Sequence, residues 1–254
     1  MRRYKMMMVL VLAFTMLGTN ISWAQEETTT EESPLSLNVD LMSRYVWRGQ
    51  DFGAAPSIQP GISYSKWGFT LGAWGAYTLN NVNTGVQEAD LYLSYSVNDM
   101  FSVTVTDYFF PDETVDYHYF DYKDKSTGHV FEGTIAFNGT EKLPLSILLA
   151  TNFYGSDARR MNDDGTSGSI QYSTYAELAY AFKHFDMFMG FNLTTPDSDK
   201  GESGYYGDSF GVVNLGISAS REIKITENFS LPLNVALITN PQKEKIYLVA
   251  GFNF

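Results

Sequence analysis

Apolar residues recur at every second position in segment after segment of this chain. Leu35, Leu37, Val39 and Leu41 alternate with Ser36, Asn38 and Asp40, and Tyr45 and Trp47 continue the apolar side. The last nine residues repeat the pattern. Ile246, Leu248, Ala250, Phe252 and Phe254 fall on one side, Tyr247, Gly251 and Asn253 on the other, with Val249 the apolar exception. A period of two marks a β-strand with one greasy face and one polar face. Between these two segments, further strands are marked by Ile58–Tyr64, Phe69–Tyr77, Ala89–Val97, Phe101–Val105, Phe131–Phe137, Leu145–Phe153, Tyr172–Phe182, Phe185–Leu193, Val213–Ile217 and Phe229–Leu237. The pattern predicts about 12 strands, each presenting a continuous apolar face. Pro232 falls inside the eleventh, where it removes a ladder donor, and predicts a bulge or a later strand start.

The links between strands carry a second pattern. Ser65–Gly68, Asn98–Met100, Asn138–Lys142, Lys183–His184 and Thr226–Asn228 are short turns. Gly49–Ser57, Asn80–Gln87, Pro111–Gly128, Gly155–Ser169 and Pro196–Ser209 are long. Long and short alternate, as expected of a closed antiparallel up-and-down transmembrane β-barrel with long extracellular loops and short periplasmic turns. An even number of strands leaves both ends of the barrel on the periplasmic side.

The N-terminus fits that destination. Arg2, Arg3 and Lys5 precede an apolar run, Met6 to Gly18, too short to span a bilayer. Ser22-Trp23-Ala24 places small residues where a signal peptidase cuts, so residues 1–24 read as a cleaved signal peptide and 25–34 as a flexible, acidic periplasmic leader. The barrel then spans 35–254, in the bacterial outer membrane. Removing the three basic residues takes the net charge from −12 to −15. An acidic chain is a poor partner for nucleic acid. The absence of cysteine excludes disulfides and cysteine-bound metal. Aromatics, 15% of the residues, suit interfacial girdles.

Alternation assigns a lumen face and strand direction assigns height. Arg44, Arg48, Glu88, Asp90, Glu132 and Glu177 all fall in outer halves of strands, with Tyr108, Asn152, Tyr154 and Tyr175 at similar heights. This belt has two readings. Charges inside a narrow barrel must be paired, so the arginines could cross-link the wall to its acids. The belt could also form a constriction that filters solutes, tilted toward cations and neutral polar solutes. Trp74, Phe188 and Tyr247 also point inward and predict a narrow bore.

Catalysis has thin support. His118, His129 and His184 stand in a long loop, at a strand start and in a turn, with no spacing that announces a catalytic set. His129 reads as an interfacial side chain. The acidic outer loops match no EF-hand spacing and read as solvated surface. No cofactor or metal is expected.

Four clusters resemble one bacterial family. Ser43-Arg44-Tyr45-Val46-Trp47-Arg48-Gly49, Pro56 with Gln59-Pro60-Gly61, Gly68-Phe69-Thr70-Leu71-Gly72-Ala73-Trp74 and Glu88-Ala89-Asp90-Leu91-Tyr92 are similar, in order and spacing, to motifs of the TorF-like porins, the Gcw family of uncharacterised outer-membrane proteins. The close likeness covers residues 43 to 97, and Gly75 stands where the family more often has Ser. The resemblance implies an outer-membrane barrel and a channel of unassigned substrate. A final strand ending on Phe also looks like the signal by which the barrel-assembly machinery recognises its clients. The expected function is passive diffusion of small polar solutes; a structural or adhesive barrel with a plugged lumen is the alternative, and an outer-membrane hydrolase a remote third.

Overall fold

The computed structural model describes residues 33–79, 87–111 and 118–254. The expected signal peptide and most of the expected leader lie outside the described residues. In chain order the strands are β1 (Leu35–Met42), β2 (Tyr45–Trp47), β3 (Gln50–Phe52), β4 (Ser57–Lys66), β5 (Phe69–Thr78), β6 (Gln87–Ser96), β7 (Phe101–Phe109) and β8 (His129–Phe137). They continue as β9 (Leu145–Gly155), β10 (Arg159–Met161), β11 (Ser167–Ile170), β12 (Thr174–Ala181), β13 (Asp186–Asn192), β14 (Gly211–Lys224), β15 (Ser230–Asn240) and β16 (Lys245–Asn253). Twelve of those described form one closed antiparallel barrel, each wall strand pairing with the next, and β16 returning to β1. The hairpins β2–β3 and β10–β11 stand apart from the wall.

The alternation is realised as an inside and an outside. Leu37, Leu71, Ile135, Ile246 and Leu248 point out and are more than half exposed, which a water-facing surface could not sustain over twelve strands. Rings gather at the rim of short turns. Phe69 and Tyr95 lie 4.5 Å apart, Phe101 and Phe137 5.3 Å, and Tyr180 and Phe182 4.7 Å, an interfacial girdle. Val249 breaks the apolar alternation because it faces inward onto Val46 and Ala236, where an apolar partner waits.

Four expectations need correction. The first strand does not continue through Trp47. β1 ends at Met42, and the chain turns into the lumen as the β2–β3 hairpin, so Tyr45 and Trp47 are 6% and 2% exposed instead of facing outward. The alternation of loop lengths breaks at the last outer link, a tight turn between Asn240 and Lys245. Pro232 makes no bulge. It pairs in register with Glu222 and lies beyond Leu233↔Phe252, the last β15–β16 pair, so its missing N–H falls at the inner rim. Tyr154 leaves the lumen face. A register shift opposite Phe131/Glu132 inserts an extra residue in β9, and Tyr154 packs at 5.9 Å on Phe131 and donates to the Tyr122 carbonyl at 2.5 Å.

The seam is thin. β1 pairs with β4 over eight residues but with β16 over three, Asp40↔Asn253 to Met42↔Gly251. Backbone bonds between Val39 and Phe254, at 3.0 and 3.2 Å, extend it, and Asn253 donates to Asp40 across it at 2.6 Å.

Candidate functional site

The inward hairpin is built on a two-residue turn. Trp47 pairs with Gln50, and both Arg48 (φ 49°) and Gly49 (φ 76°) adopt left-handed backbone, the geometry that matches strand twist in a tight hairpin. Glycine is required at 49 for a second reason: a Cβ there would meet the Val213 carbonyl oxygen at 2.0 Å. Asn240 donates to the Gly49 carbonyl at 3.1 Å and pins the turn to β15.

Aromatic packing holds the hairpin from both sides. Tyr45 stacks on Phe52 and tilts against Trp74; Trp47 lies 5.6 Å from Tyr108 and 5.8 Å from Tyr206. Val46 faces the opposite wall, with Ala236, Ile238 and Val249, and with Phe188 and Tyr247 at the margin. The inward positions of Trp74, Phe188 and Tyr247 are thus as expected. The loop between β13 and β14 adds Tyr205 and Tyr206, the latter with no exposed surface.

At the centre stands Arg48, 4% exposed. Its guanidinium forms a fork with the Glu132 carboxylate: one arm is very short and the other is 2.9 Å. It also donates to Tyr206 Oη at 2.7 Å and lies over the rings of Trp47 and Tyr175 at 4.5 and 4.6 Å. Tyr108 and Thr134 each donate to Glu132 at 3.0 Å, and Tyr206 Oη lies 2.7 Å from it. A carboxylate with this many donors and a bidentate guanidinium is fully served, the condition under which a buried ion pair is tolerated.

The other belt residues do not join that pair. Arg44 is spent on Asp51 of its own hairpin, at 3.0 Å, and does not cross-link the wall. Glu177 is served by neutral donors, Tyr175 and Asn214 (3.0 Å). Glu88 and Asp90 are 1% and 2% exposed, and neither forms an ion pair among the described residues. Asn152 bridges Tyr206 and Asp157. Of the eight residues expected at the constriction, the structure joins Arg48, Glu132, Tyr108 and Tyr175 in one cluster, sets Glu177 beside it, places Asp90 on a small cavity that Arg48, Tyr108 and Glu132 also line, and leaves Glu88 off that cavity and Arg44 at the edge.

Sequence reasoning missed Tyr206, which lies in a loop without alternation. It also missed the hairpin, whose signals were Ser43 in an apolar slot and the Arg48-Gly49 turn. His129 is not interfacial but fully buried. Its Nδ1 lies 2.7 Å from Asp107 and its Nε2 2.6 Å from the Tyr119 carbonyl, with Tyr122 stacked at 4.3 Å.

No curated protein matches this chain in sequence. Seven chains of known structure match this chain in a structural comparison. One is a "KdgM porin", with TM-score 0.43 and 11% identity, covering 86% of this chain and 97% of that one. Another, described as "Unveiling the Mechanism Behind the in-meso Crystallization of Membrane Proteins", has TM-score 0.42 and 7% identity, covering 86% of this chain and 81% of that one. Residues 26–162, more than half of the chain, match the family described as "Bacterial protein of unknown function (Gcw_chp)". That stretch holds Arg48, Glu88, Asp90 and Glu132, and the match supports the Gcw part of the resemblance without the TorF-like name. The chain therefore belongs to the Gcw_chp family of bacterial proteins.

Proposed function

We propose that this protein is an outer-membrane channel for small polar solutes, closed in the conformation described by its own β2–β3 hairpin. The observation that carries the reading is the Arg48–Glu132 pair, the link between an inward-folded hairpin and the barrel wall. A latch of one buried ion pair is strong while whole and fails when either member is removed. Below it the wall turns to small polar residues, including Ser94, Ser96, Ser102 and Thr104, a lining suited to hydrated solutes.

Export through the signal peptide, residence in the outer membrane and assembly through Ile246–Phe254 belong to the same proposal. With three acids left without an arginine, the lumen favours cationic or neutral solutes. No catalytic role is proposed.

A second reading is favoured by one observation. Tyr45, Trp47, Tyr175 and Tyr206 are packed as tightly as a protein core, as expected of a permanent plug in a structural or adhesive barrel. Planar-bilayer recording separates the two. A channel gives discrete openings in the wild type, more frequent after Arg48→Ala. Silence at all voltages, in the wild type and in a variant with residues 44–54 replaced by a short Gly-Ser linker, would leave the plugged barrel.

A further inference from the structure

β7 carries an acid on its outward face. Alternation places Val103, Val105 and Asp107 on one side, and Val103 and Val105 are exposed on the outside of the barrel. A charge on that face is costly unless it is paired and covered. Here it is both. His129, at the start of β8, has its Nδ1 2.7 Å from Oδ1 of Asp107. Residues 118–127, from the long link between β7 and β8, cover the pair. The Tyr119 carbonyl oxygen lies 2.6 Å from Nε2 of His129, Tyr119 packs edge-on to the imidazole at 5.0 Å and Tyr122 stacks on it at 4.3 Å. Beneath them His129 has no exposed surface. Two further ties lie beyond the ring: Tyr154 of β9 donates to the Tyr122 carbonyl, and Arg159 donates to the Asp124 carboxylate at 3.1 Å. The titratable groups against His129 are therefore Asp107 from β7 and Tyr119 and Tyr122 from the link; Lys123, Asp124 and Lys125 carry their charges in its exposed turn. Both ring nitrogens meet oxygens that only accept, a carboxylate and a backbone carbonyl. A neutral imidazole has one N–H and serves only one of them. Two contacts need two protons, and the imidazole, a stronger base than a carboxylate, is where the second resides.

We propose that residues 118–127 form a proton-dependent strap, held to the outside of the wall by a His129 imidazolium that donates to Asp107 and to the Tyr119 carbonyl at once. Loss of one proton leaves a bare ring nitrogen against an oxygen. The charged carboxylate of Asp107 keeps the remaining N–H, because a charge-assisted bond is the stronger of the two. The Tyr119 contact then opens, and Tyr119 and Tyr122 leave the ring. The strap is docked at lower pH and released as pH rises, a direction set by the proton count of the two contacts. The inference is independent of whether the lumen conducts.

The test is trypsin cleavage after Lys123 or Lys125 in the detergent-refolded protein, followed from pH 6 to pH 9 with the cut sites read by mass spectrometry. Each rate is divided by that of an unstructured lysine peptide in the same tube, which cancels the protease's own pH dependence. Cleavage tracks the population of the open strap, so the ratio should rise by about tenfold or more across the range. His129→Gln should be cut quickly at both ends of the range, and His118→Gln should keep the wild-type rise. If His129→Gln does not refold, ¹⁵N spectra of the wild-type imidazole serve in its place: both ring nitrogens protonated while the strap resists cleavage, and one bare as cleavage appears. Three results overturn the proposal: a ratio that does not change with pH; a bare His129 nitrogen while the strap still resists; or loss of the rise in His118→Gln, which assigns the proton to the neighbouring histidine.

Discussion

Toward the outer mouth, the lumen is filled by Tyr45, Trp47, Arg48 and Tyr206, all less than 7% exposed and packed with rings and one ion pair around a cavity of ≈ 40 Å³. Toward the inner mouth, the same wall strands present Ser94, Ser96, Ser102, Ser218 and Ser220, which are half-buried or exposed. The strands are continuous through both halves. What changes is the side-chain volume on alternate positions, together with one inserted hairpin. Barrel diameter grows with strand number, and twelve strands lie between the roughly eight whose interior side chains alone just fill and the roughly sixteen or more that leave an aqueous channel; here the outer half is filled with the help of an inserted hairpin. On the proposed channel reading, closure belongs to the inserted hairpin, and the wall is continuous beneath it.

Substitutions that strip the insert of its anchor should separate the halves most sharply. Glu132→Ala leaves Arg48 buried and unpaired, and should weaken the plug by about 3–5 kcal/mol, enough to raise its released population more than a hundredfold. Protease access to the Tyr45–Phe52 hairpin in the folded barrel reads this directly. The paired change Arg48→Met with Glu132→Leu should recover part of the loss, since apolar partners of similar volume replace a buried pair well, while the Tyr108, Thr134 and Tyr206 hydroxyls lose their acceptor.

Tyr206→Phe removes one hydroxyl from the cluster and leaves Arg48 and Glu132 together. It should cost about 1–3 kcal/mol, with unfolding of the wall unchanged. Acid should act more weakly and from outside. Glu202 accepts the backbone N–H groups of Asp197 and Met161, then the Arg160 guanidinium, and together these hold its carboxyl at about 2 against an ordinary 4.5. A depressed carboxyl contributes stability above its unfolded value, and that contribution disappears as pH falls from 4.5 toward 2. The loop that carries Tyr206 should then become protease-sensitive across that interval and recover on neutralisation. Smallest of all, Ser96→Ala in the inner half should change stability by less than about 0.5 kcal/mol. A larger effect there would mean that the two halves are not independent.

The wall was legible because strand alternation is a local signal with a fixed period, and all ten intervening segments fall on wall strands. Arg48, Glu132, Tyr108 and Tyr175 were legible as lumen residues for the same reason. Partner choice was not. Arg44 and Arg48 sit four apart in sequence, and only the turn at Gly49 decides that one reaches the wall and the other folds back on Asp51. Tyr206 depends on where a long loop comes to rest, which no periodicity encodes. Tyr154 was misplaced because one extra residue in β9 reverses the parity on which every inward assignment rests.

The narrow join between β1 and β16 bears on how the ring comes into being. It brings together Asp40 and Asn253, which lie at opposite ends of the polypeptide, so its loop-closing entropy is met only when everything between is in place. Assembly should therefore finish at this join, and heat should begin to undo the ring there. The backbone bonds between Val39 and Phe254 end the join, and they mark the place where the first gap would open.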